Sequence, residues 1–163
     1  MSTVDNMTKH EIYKAMKSNL AKAMKAGFYY QAIFIEYAII EDRCASVLRH
    51  ANVNYLKRNG QEIDLKEKLN KIRDNPAFVD KNIRKRISLS LIKELDDWRE
   101  KRNRLIHKLA SIPFDYAEVK DIAENGKELA RKIDNSVRSV NYYIDKYMKL
   151  QTLKEGDTHE TVK

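Results

Sequence analysis

A stripe of apolar residues runs through the last third of the chain at the spacing of one helix face. It comprises Val119, Ile122, Gly126, Leu129, Ile133, Val137, Val140, Ile144 and Tyr147. Steps of three and four residues return to the same side of an α-helix. We therefore predict one long helix from about residue 115, in which Gly126 marks a close approach to another helix rather than a break.

The rest of the chain also divides into helical segments. Only four glycines and two prolines occur in 163 residues, and 34% of the residues are charged, which favours long solvated helices. Turn residues separate predicted helices at about 8–26, 28–51, 64–73, 80–110 and from 115 onward. We predict an all-α, up-and-down bundle of four to five helices in one domain, residues 1–153, with a disordered polar tail at 154–163.

The first two helices are predicted to have different surroundings. Thr8 begins a capping box that opens the first helix. The inner face of this helix is predicted to be Ile12, Met16, Leu20 and Ala23. In the second helix only Gln31 and Glu36 are strongly polar between residues 28 and 40, so we predict that this helix is central.

Charge and cysteine content restrict the class of protein. The net charge of +8 favours an anionic partner, with nucleic acid the first candidate. The single Cys44 excludes an intramolecular disulfide and fits a reducing compartment. Because no apolar run approaches the roughly 20 residues that span a bilayer, we expect a cytoplasmic protein without membrane association. No metal-ligand spacing or glycine-rich phosphate loop occurs, so we expect no metal and no cofactor.

One residue interrupts the apolar face of the fourth predicted helix. That face reads Leu91, Leu95, Trp98, Arg102, Leu105 and Leu109. An arginine in such a position is costly to desolvate unless its guanidinium meets an anion. We consider two sources for that anion: a carboxylate of this chain, with Glu36 the first candidate and Glu41 or Asp42 the others, and a phosphate from outside.

Arg102 belongs to a cluster of groups that could act on a phosphate. Asn103 and His107 are four residues apart and so project from one side of the helix. Arg102 and His107 differ by roughly 140° around the helix and about 7.5 Å along it, so their tips can converge on one small anion. Arg99 falls on the same side.

A second Arg/His pair in this chain, Arg43 and His50, shows that spacing alone carries little weight. Arg43 lies one position off the apolar stripe of the second helix, from which it can reach solvent. We therefore assign no function to this pair.

The segment Arg102-Asn103-Arg104-Leu105-Ile106-His107, near the end of a long helix in an all-α chain of this size, resembles the HEPN superfamily. The resemblance implies a metal-independent endoribonuclease, of the kind found in toxin–antitoxin, abortive-infection antiphage and CRISPR systems. It also implies a homodimer in which two Arg/His motifs face each other, and control by an antitoxin or another regulatory protein. Antitoxin-modified members often carry a tyrosine two residues after the histidine, where this chain has Leu109, so the AMP-modified form is not supported.

The residues fit the implied chemistry. A histidine can act as base or acid, and an arginine can bind phosphate with two hydrogen bonds. An asparagine amide can form a hydrogen bond with the phosphate or orient the imidazole. We predict that Arg102, Asn103 and His107 are catalytic and that the products carry 2′,3′-cyclic phosphate and 5′-OH ends. Further cations are predicted to bind the RNA substrate: Arg99, Lys101, Arg104 and Lys108, with the basic stretch at residues 81–86 on the same surface.

Two other functions stay open. A catalytically silent helical module of the same fold could bind RNA or a partner protein and use Arg102 for an internal pair with Glu36. A basic DNA-binding bundle is a third possibility, although no short helix-turn-helix with a basic recognition helix is apparent. The partner of Arg102 discriminates between the nuclease and the silent module.

Overall fold

The computed structural model describes the backbone of residues 3–109 and 115–157 and the side chains of residues 8–109 and 115–150. The chain is all-helical within these ranges. In order, its elements are α1 (Thr3–Ala26), α2 (Tyr29–His50), α3 (Leu65–Asp74), a 3-10 turn (Pro76–Phe78), α4 (Lys81–Arg84), α5 (Leu89–Lys108) and α6 (Tyr116–Asp157). The predicted all-α class is confirmed, with six α-helices in the described part of the chain where four to five were expected.

An antiparallel hairpin is formed by α1 and α2. Gly27, with a φ of +74°, turns the chain between them, and the Lys9 ammonium lies 3.1 Å from the Asp42 carboxylate across the pair. Since α1 already begins at Thr3, the capping box predicted at Thr8 lies inside the helix, and that prediction was wrong. The chain is already helical for one turn before Thr8, so the cap-like sequence at Thr8 does not mark the start of the helix.

The inner face of α1 differs from the predicted one at a single position. Leu20 and Ala23 are buried and Met16 packs against the core, as predicted. Ile12 is 52% exposed and Tyr13 is buried in its place. The Tyr13 hydroxyl donates a hydrogen bond to Asp42 of α2, which places Tyr13 at the interface with that helix.

The second helix is central, as predicted. It contacts α1, α3 and α6, and the stripe that begins at Ile33 continues through Ile40, Cys44 and Val47 with no exposed surface. On the far side of α2, α3 begins at Leu65 with its N-terminus capped by Asp64. Its predicted inward residues, Leu65, Leu69 and Ile72, are all buried.

The predicted fourth helix is divided in two. Asp80 caps only the short α4, with its carboxylate accepting from the backbone of Asn82 and Ile83. The longer α5 begins separately at Leu89, where the Ser88 hydroxyl accepts from the Leu91 backbone N–H. One uninterrupted helix from Asp80 was therefore a wrong prediction, because Ser88 has extended backbone geometry that α-helix cannot include.

The longest helix, α6, packs against both α5 and α2. It has 42 residues, a length of about 63 Å. The predicted stripe is buried from Val119 to Ile144, and Tyr147 packs at its edge. This helix continues through Asp157, four residues into the segment expected to be a disordered tail. Residues 158–163 of that tail, and Pro113 between α5 and α6, lie outside the described residues.

Ion pairs and hydrogen bonds fix the helix directions. Between α5 and α6, Trp98 donates to the Ile122 carbonyl at 2.9 Å and Lys132 pairs with Glu94, so these two helices are antiparallel. Between α2 and α6 the pairs are Arg43 with Asp134 and His50 with Asp145. Since both numbers rise together, α2 and α6 are parallel. The four long helices thus alternate in direction along the chain. No described helix has both the length and the apolar content needed to cross a membrane.

Gly126 lies where α6 approaches α2 and α5 most closely. A Cβ at this position would lie 2.7 Å from two atoms of the Trp98 indole and closer still to the Glu36 carboxylate. Real Cβ atoms do not approach other atoms so closely, so only glycine fits without a shift. The close approach predicted at Gly126 is confirmed.

We expect Gly126→Ala to lower the free energy of unfolding. Alanine alone would stabilise a helix interior by about 1 kcal/mol relative to glycine, but overpacking against Trp98 and Glu36 costs about 1–3 kcal/mol. Thermal and urea unfolding of the two proteins would measure the difference. A higher Tm for the variant would contradict the packing, because only the helix-propensity gain would then remain.

Candidate active site

Arg102 lies on the flank of α5 that faces α2. Its side chain is half-buried, with the guanidinium carbon 4.5 Å from the centre of the Tyr37 ring and 5.6 Å from that of Phe34. Both distances are within the range of cation–π attraction. Its Nη1 also donates to the Asn103 Oδ1 at 3.1 Å. The aromatic rings of α2 therefore hold the guanidinium in place, a role that sequence reasoning had not given to Tyr37 or Phe34.

No carboxylate neutralises Arg102 within the described ranges. Its Nε is buried without a hydrogen-bond partner, and its only described hydrogen bond is the one to Asn103. A neutral amide and two aromatic faces leave the full positive charge in place. Such a partly desolvated and unpaired guanidinium strongly favours an anion that can accept two hydrogen bonds.

Glu36, the first candidate for an internal partner of Arg102, is an isolated acid in the core. Its side chain has no exposed surface, and neither carboxyl oxygen has a hydrogen-bond partner. Burial raises the pKa of Glu36 to about 9, although Lys127 opposes this shift. The carboxyl is therefore neutral at pH 7. The Glu36–Arg102 pair considered above does not form, because the Glu36 carboxyl lies at Gly126 of α6, beside Trp98 rather than Arg102.

The other two acids considered as partners are also engaged elsewhere. Glu41 lies 3.4 Å from the buried Lys68 ammonium of α3. Asp42 accepts hydrogen bonds from Tyr13 and Lys9 of α1. Asp42 lies on another side of α2, whereas Glu41 lies one turn beyond Tyr37 and pairs with Lys68 rather than with Arg102. All three internal carboxylates considered for Arg102 are thus excluded.

Asn103 and His107 complete the predicted cluster on the same helix. The Asn103 Oδ1 is occupied by Arg102, which leaves the two N–H groups of its amide to bind an acceptor. His107 is exposed in the last turn of α5, so its imidazole is accessible to a ligand. An amide donor, a guanidinium and an imidazole together provide the groups needed to bind and transfer protons at a phosphate.

Arg99 does not have the free side chain that was predicted for it. It is buried, and its guanidinium lies 2.7 Å from Asp96 and 3.3 Å from Glu100. Both acids lie within one helical turn of Arg99. The amphipathic pattern alone places such charged residues on the solvent-exposed face. That Arg99 binds substrate stays a prediction, but its charge is balanced by two carboxylates in this structure.

Three other predicted substrate residues line a separate groove. Lys101, Arg104 and Lys108 lie beside a groove of about 450 Å³ between α5 and the start of α6. Acidic side chains, Asp115, Glu118 and Asp121, line the same groove. Lys101 and Lys108 differ from Arg102 by roughly 100° to 120° around α5, on the other side of its core-facing line. These three cations were predicted to form one RNA-guiding surface with the basic stretch at residues 81–86.

The basic stretch at residues 81–86 is also remote from this groove. Arg84 donates to the Arg73 carbonyl at 2.7 Å, and the Arg86 guanidinium lies 4.0 Å from the centre of the Tyr143 ring. Tyr143 is about 33 Å along α6 from Asp121, at 1.5 Å per residue. The predicted single RNA-guiding surface therefore consists of two separate regions.

Arg43 was predicted to reach solvent, yet its side chain is only 20% exposed. Its Nε donates to Asp134 at 2.7 Å, and its guanidinium lies 3.8 Å from the centre of the Tyr13 ring. Asp134 is 91 residues away in the chain, so helix patterning could not reveal it. Unlike Arg102, Arg43 has a carboxylate partner.

Comparison with protein-family models, with curated proteins and with solved structures finds no match for this chain. Among the described residues, no group of three or more His, Cys, Asp or Glu side chains is arranged to hold a metal ion.

We expect Glu36→Gln to reduce the pH dependence of stability. The pKa of Glu36 is about 9 in the folded chain against 4.5 for the free side chain. Between these values the unfolded chain releases a proton that the folded chain keeps, so rising pH favours unfolding by up to about 1.4 kcal/mol per pH unit.

Urea unfolding of both proteins at pH 5, 6.5 and 8 would measure this effect. The wild type should lose a few kcal/mol more than Glu36→Gln across that range. Equal losses of unfolding free energy in the two proteins would show that Glu36 ionises normally in the folded state. The assignment of a neutral, buried Glu36 would then be wrong.

Proposed function

We propose that this chain is a metal-independent endoribonuclease of the HEPN type, active as a homodimer. The observation that carries this proposal is the unneutralised Arg102 guanidinium, held on Tyr37 and joined to Asn103. A buried pair with a carboxylate would have favoured a silent module, and the three carboxylates considered for that pair are engaged or isolated elsewhere. A phosphate of RNA is the anion that best fits a planar guanidinium on the same helix as an exposed imidazole.

The reaction needs two proton transfers and a cation. One imidazole removes the proton of a ribose 2′-OH, whose oxygen attacks the adjacent phosphorus. The bond from phosphorus to the 5′-oxygen of the next nucleotide breaks, and a second group protonates that oxygen. Arg102 balances the negative charge that develops on the phosphorane oxygens. The products carry a 2′,3′-cyclic phosphate and a 5′-OH.

A second copy of the chain would supply the second proton-transfer group, because one chain offers a single histidine in the motif. Exposed apolar side chains flank the motif on two helices: Phe34 of α2 is 53% exposed and Leu109, at the end of α5, is 41% exposed. Burying such side chains against a symmetry-related copy is favourable. A homodimer of this kind would bring two Arg102/His107 sets to one cleft.

The proposed setting is intracellular defence or toxin–antitoxin control. A nuclease that cuts RNA without a metal needs restraint, which a cognate antitoxin or another regulatory protein would provide. The strong positive charge of the chain is compatible with an RNA substrate.

We expect Arg102→Ala and His107→Ala each to reduce RNA cleavage at least about 100-fold, the usual contribution of a general acid or base. Neither should change the fold, because both side chains have solvent-accessible surface and no ion pair within the described ranges. Digestion of a labelled RNA in EDTA, with circular dichroism of each variant, would test this.

His50→Ala is the matched control, since His50 belongs to the other Arg/His pair and pairs with Asp145 at the surface. It should cleave at the wild-type rate. Full activity of both Arg102→Ala and His107→Ala would contradict the assignment. An intact wild-type chain that binds RNA or a protein partner but never cleaves RNA would support the silent module instead.

A further inference from the structure

A second cationic region lies on the opposite side of α2 from the Arg102 motif. It is a groove of about 820 Å³ with α1 and α6 as its walls and Arg43 and Ser46 of α2 at its floor. Arg43 and Tyr37 differ by roughly 120° around α2 and about 9 Å along it. The groove is therefore separate from the proposed catalytic cluster.

The groove carries a large excess of positive charge. Its lining includes five cationic side chains and a single acidic one, Asp134. The cationic residues are Lys9, Lys14, Lys17, Arg43 and Arg138. Asp134 is already shared by Arg43 and Lys17, at 2.6 Å and 2.5 Å. Lys9 pairs with Asp42 of α2. The charges of Lys14 and Arg138 remain without a described ion pair and favour an anionic ligand.

Two of these cations are placed level with each other across the groove. Since α1 is antiparallel to α2, and α2 parallel to α6, α1 runs antiparallel to α6. The Lys17–Asp134 ion pair sets the register, so Lys14, three residues earlier on α1, is level with Arg138, four residues later on α6. Both are exposed, and neither forms an ion pair within the described ranges. Facing like charges repel unless an anion lies between them.

The far end of the groove has an unused polar group. Asn141, one turn beyond Arg138, has a buried Oδ1 with no hydrogen-bond partner. Its Nδ2 lies 3.4 Å from the hydroxyl of the buried Ser46. A buried acceptor without a donor is costly. A ligand with hydroxyl or amino groups beside its phosphates would provide that donor.

We propose that this groove binds the phosphodiester backbone of a nucleic-acid strand. Lys14 and Arg138 contact the backbone from the two walls of the groove, Arg43 is held at the floor by Tyr13 and Asp134, and Asn141 accepts from a sugar or base. A strand fits better than a single phosphate because the cations are spread along about 12 Å of α1, from Lys9 to Lys17, with Arg138 on the facing wall, rather than converging on one point. The choice of RNA as the strand rests on the proposed function, whereas the groove itself does not.

Charge reversal tests the groove separately from cleavage. In a His107→Ala background, which prevents cutting, we expect Lys14→Glu with Arg138→Glu to weaken binding of a labelled RNA of about 12 nucleotides at least tenfold. The slope of log affinity against log salt should fall by about 1.4, since each phosphate contact on a single strand contributes about 0.7. Fluorescence anisotropy at several salt concentrations measures both.

The matched control is Lys57→Glu with Arg58→Glu in the same background, which changes the net charge equally in the exposed α2–α3 loop. It should weaken binding less than threefold. The milder pair Lys14→Gln with Arg138→Gln should weaken binding in the same direction, and circular dichroism confirms that each variant is folded.

The groove proposal is overturned if the groove variant binds RNA as well as the loop control. It is also overturned if inorganic phosphate or AMP competes as effectively, per molecule, as an unlabelled strand. These outcomes are distinct from failure of the nuclease proposal. If RNA binding depends on the groove but the wild-type chain does not cleave RNA, only the nuclease proposal fails. If the chain cleaves RNA but binding does not depend on the groove, only the groove proposal fails.

Discussion

The contact at Gly126 determines how the helices of this protein are arranged. Glu36 of α2 and Trp98 of α5 both meet α6 there, and the absence of a side chain allows all three helices to approach. The Trp98 indole then reaches the Ile122 carbonyl one turn earlier on α6. Because α6 is fixed against both neighbours at this point, the flank of α5 that bears Arg102 is turned toward the aromatic side of α2.

The same contact explains the charge of the candidate site. Glu36 is drawn to α6 and loses access to water, so burial raises its pKa and keeps it neutral. Arg102 therefore meets Tyr37 and Phe34 rather than a carboxylate. Had the Glu36 carboxylate reached Arg102, it would have neutralised the guanidinium, and the most distinctive feature of the sequence would have had an internal explanation. The core thus retains a neutral acid while a cation remains free for a ligand.

Sequence patterns predicted those features that depend on helix periodicity. The buried stripe of α6, the central position of α2, the inward face of α3 and the role of Gly126 follow from spacing and side-chain size.

Features that depend on partners distant in the chain were not predictable in this way. Arg43 and Asp134 are 91 residues apart, and the acidic side chains that face Lys101 across its groove depend on how α6 is placed. The sequence also offers two helix starts close together, since Asp80 and Ser88 both suit an N-cap. Each of them caps its own helix. For the site, the sequence identified Arg102 as exceptional but could not identify what faces it.

The chemical ends of RNA fragments test the central claim most directly, namely that Arg102 and His107 act on a phosphate without a metal. Purified protein is incubated with a defined RNA in excess EDTA, and the new termini are identified by mass spectrometry. Fragments with 2′,3′-cyclic phosphate and 5′-OH ends, produced by the wild type but not by His107→Ala, are the predicted result. Fragments with 3′-OH and 5′-phosphate ends, or the same fragments from His107→Ala, would contradict it.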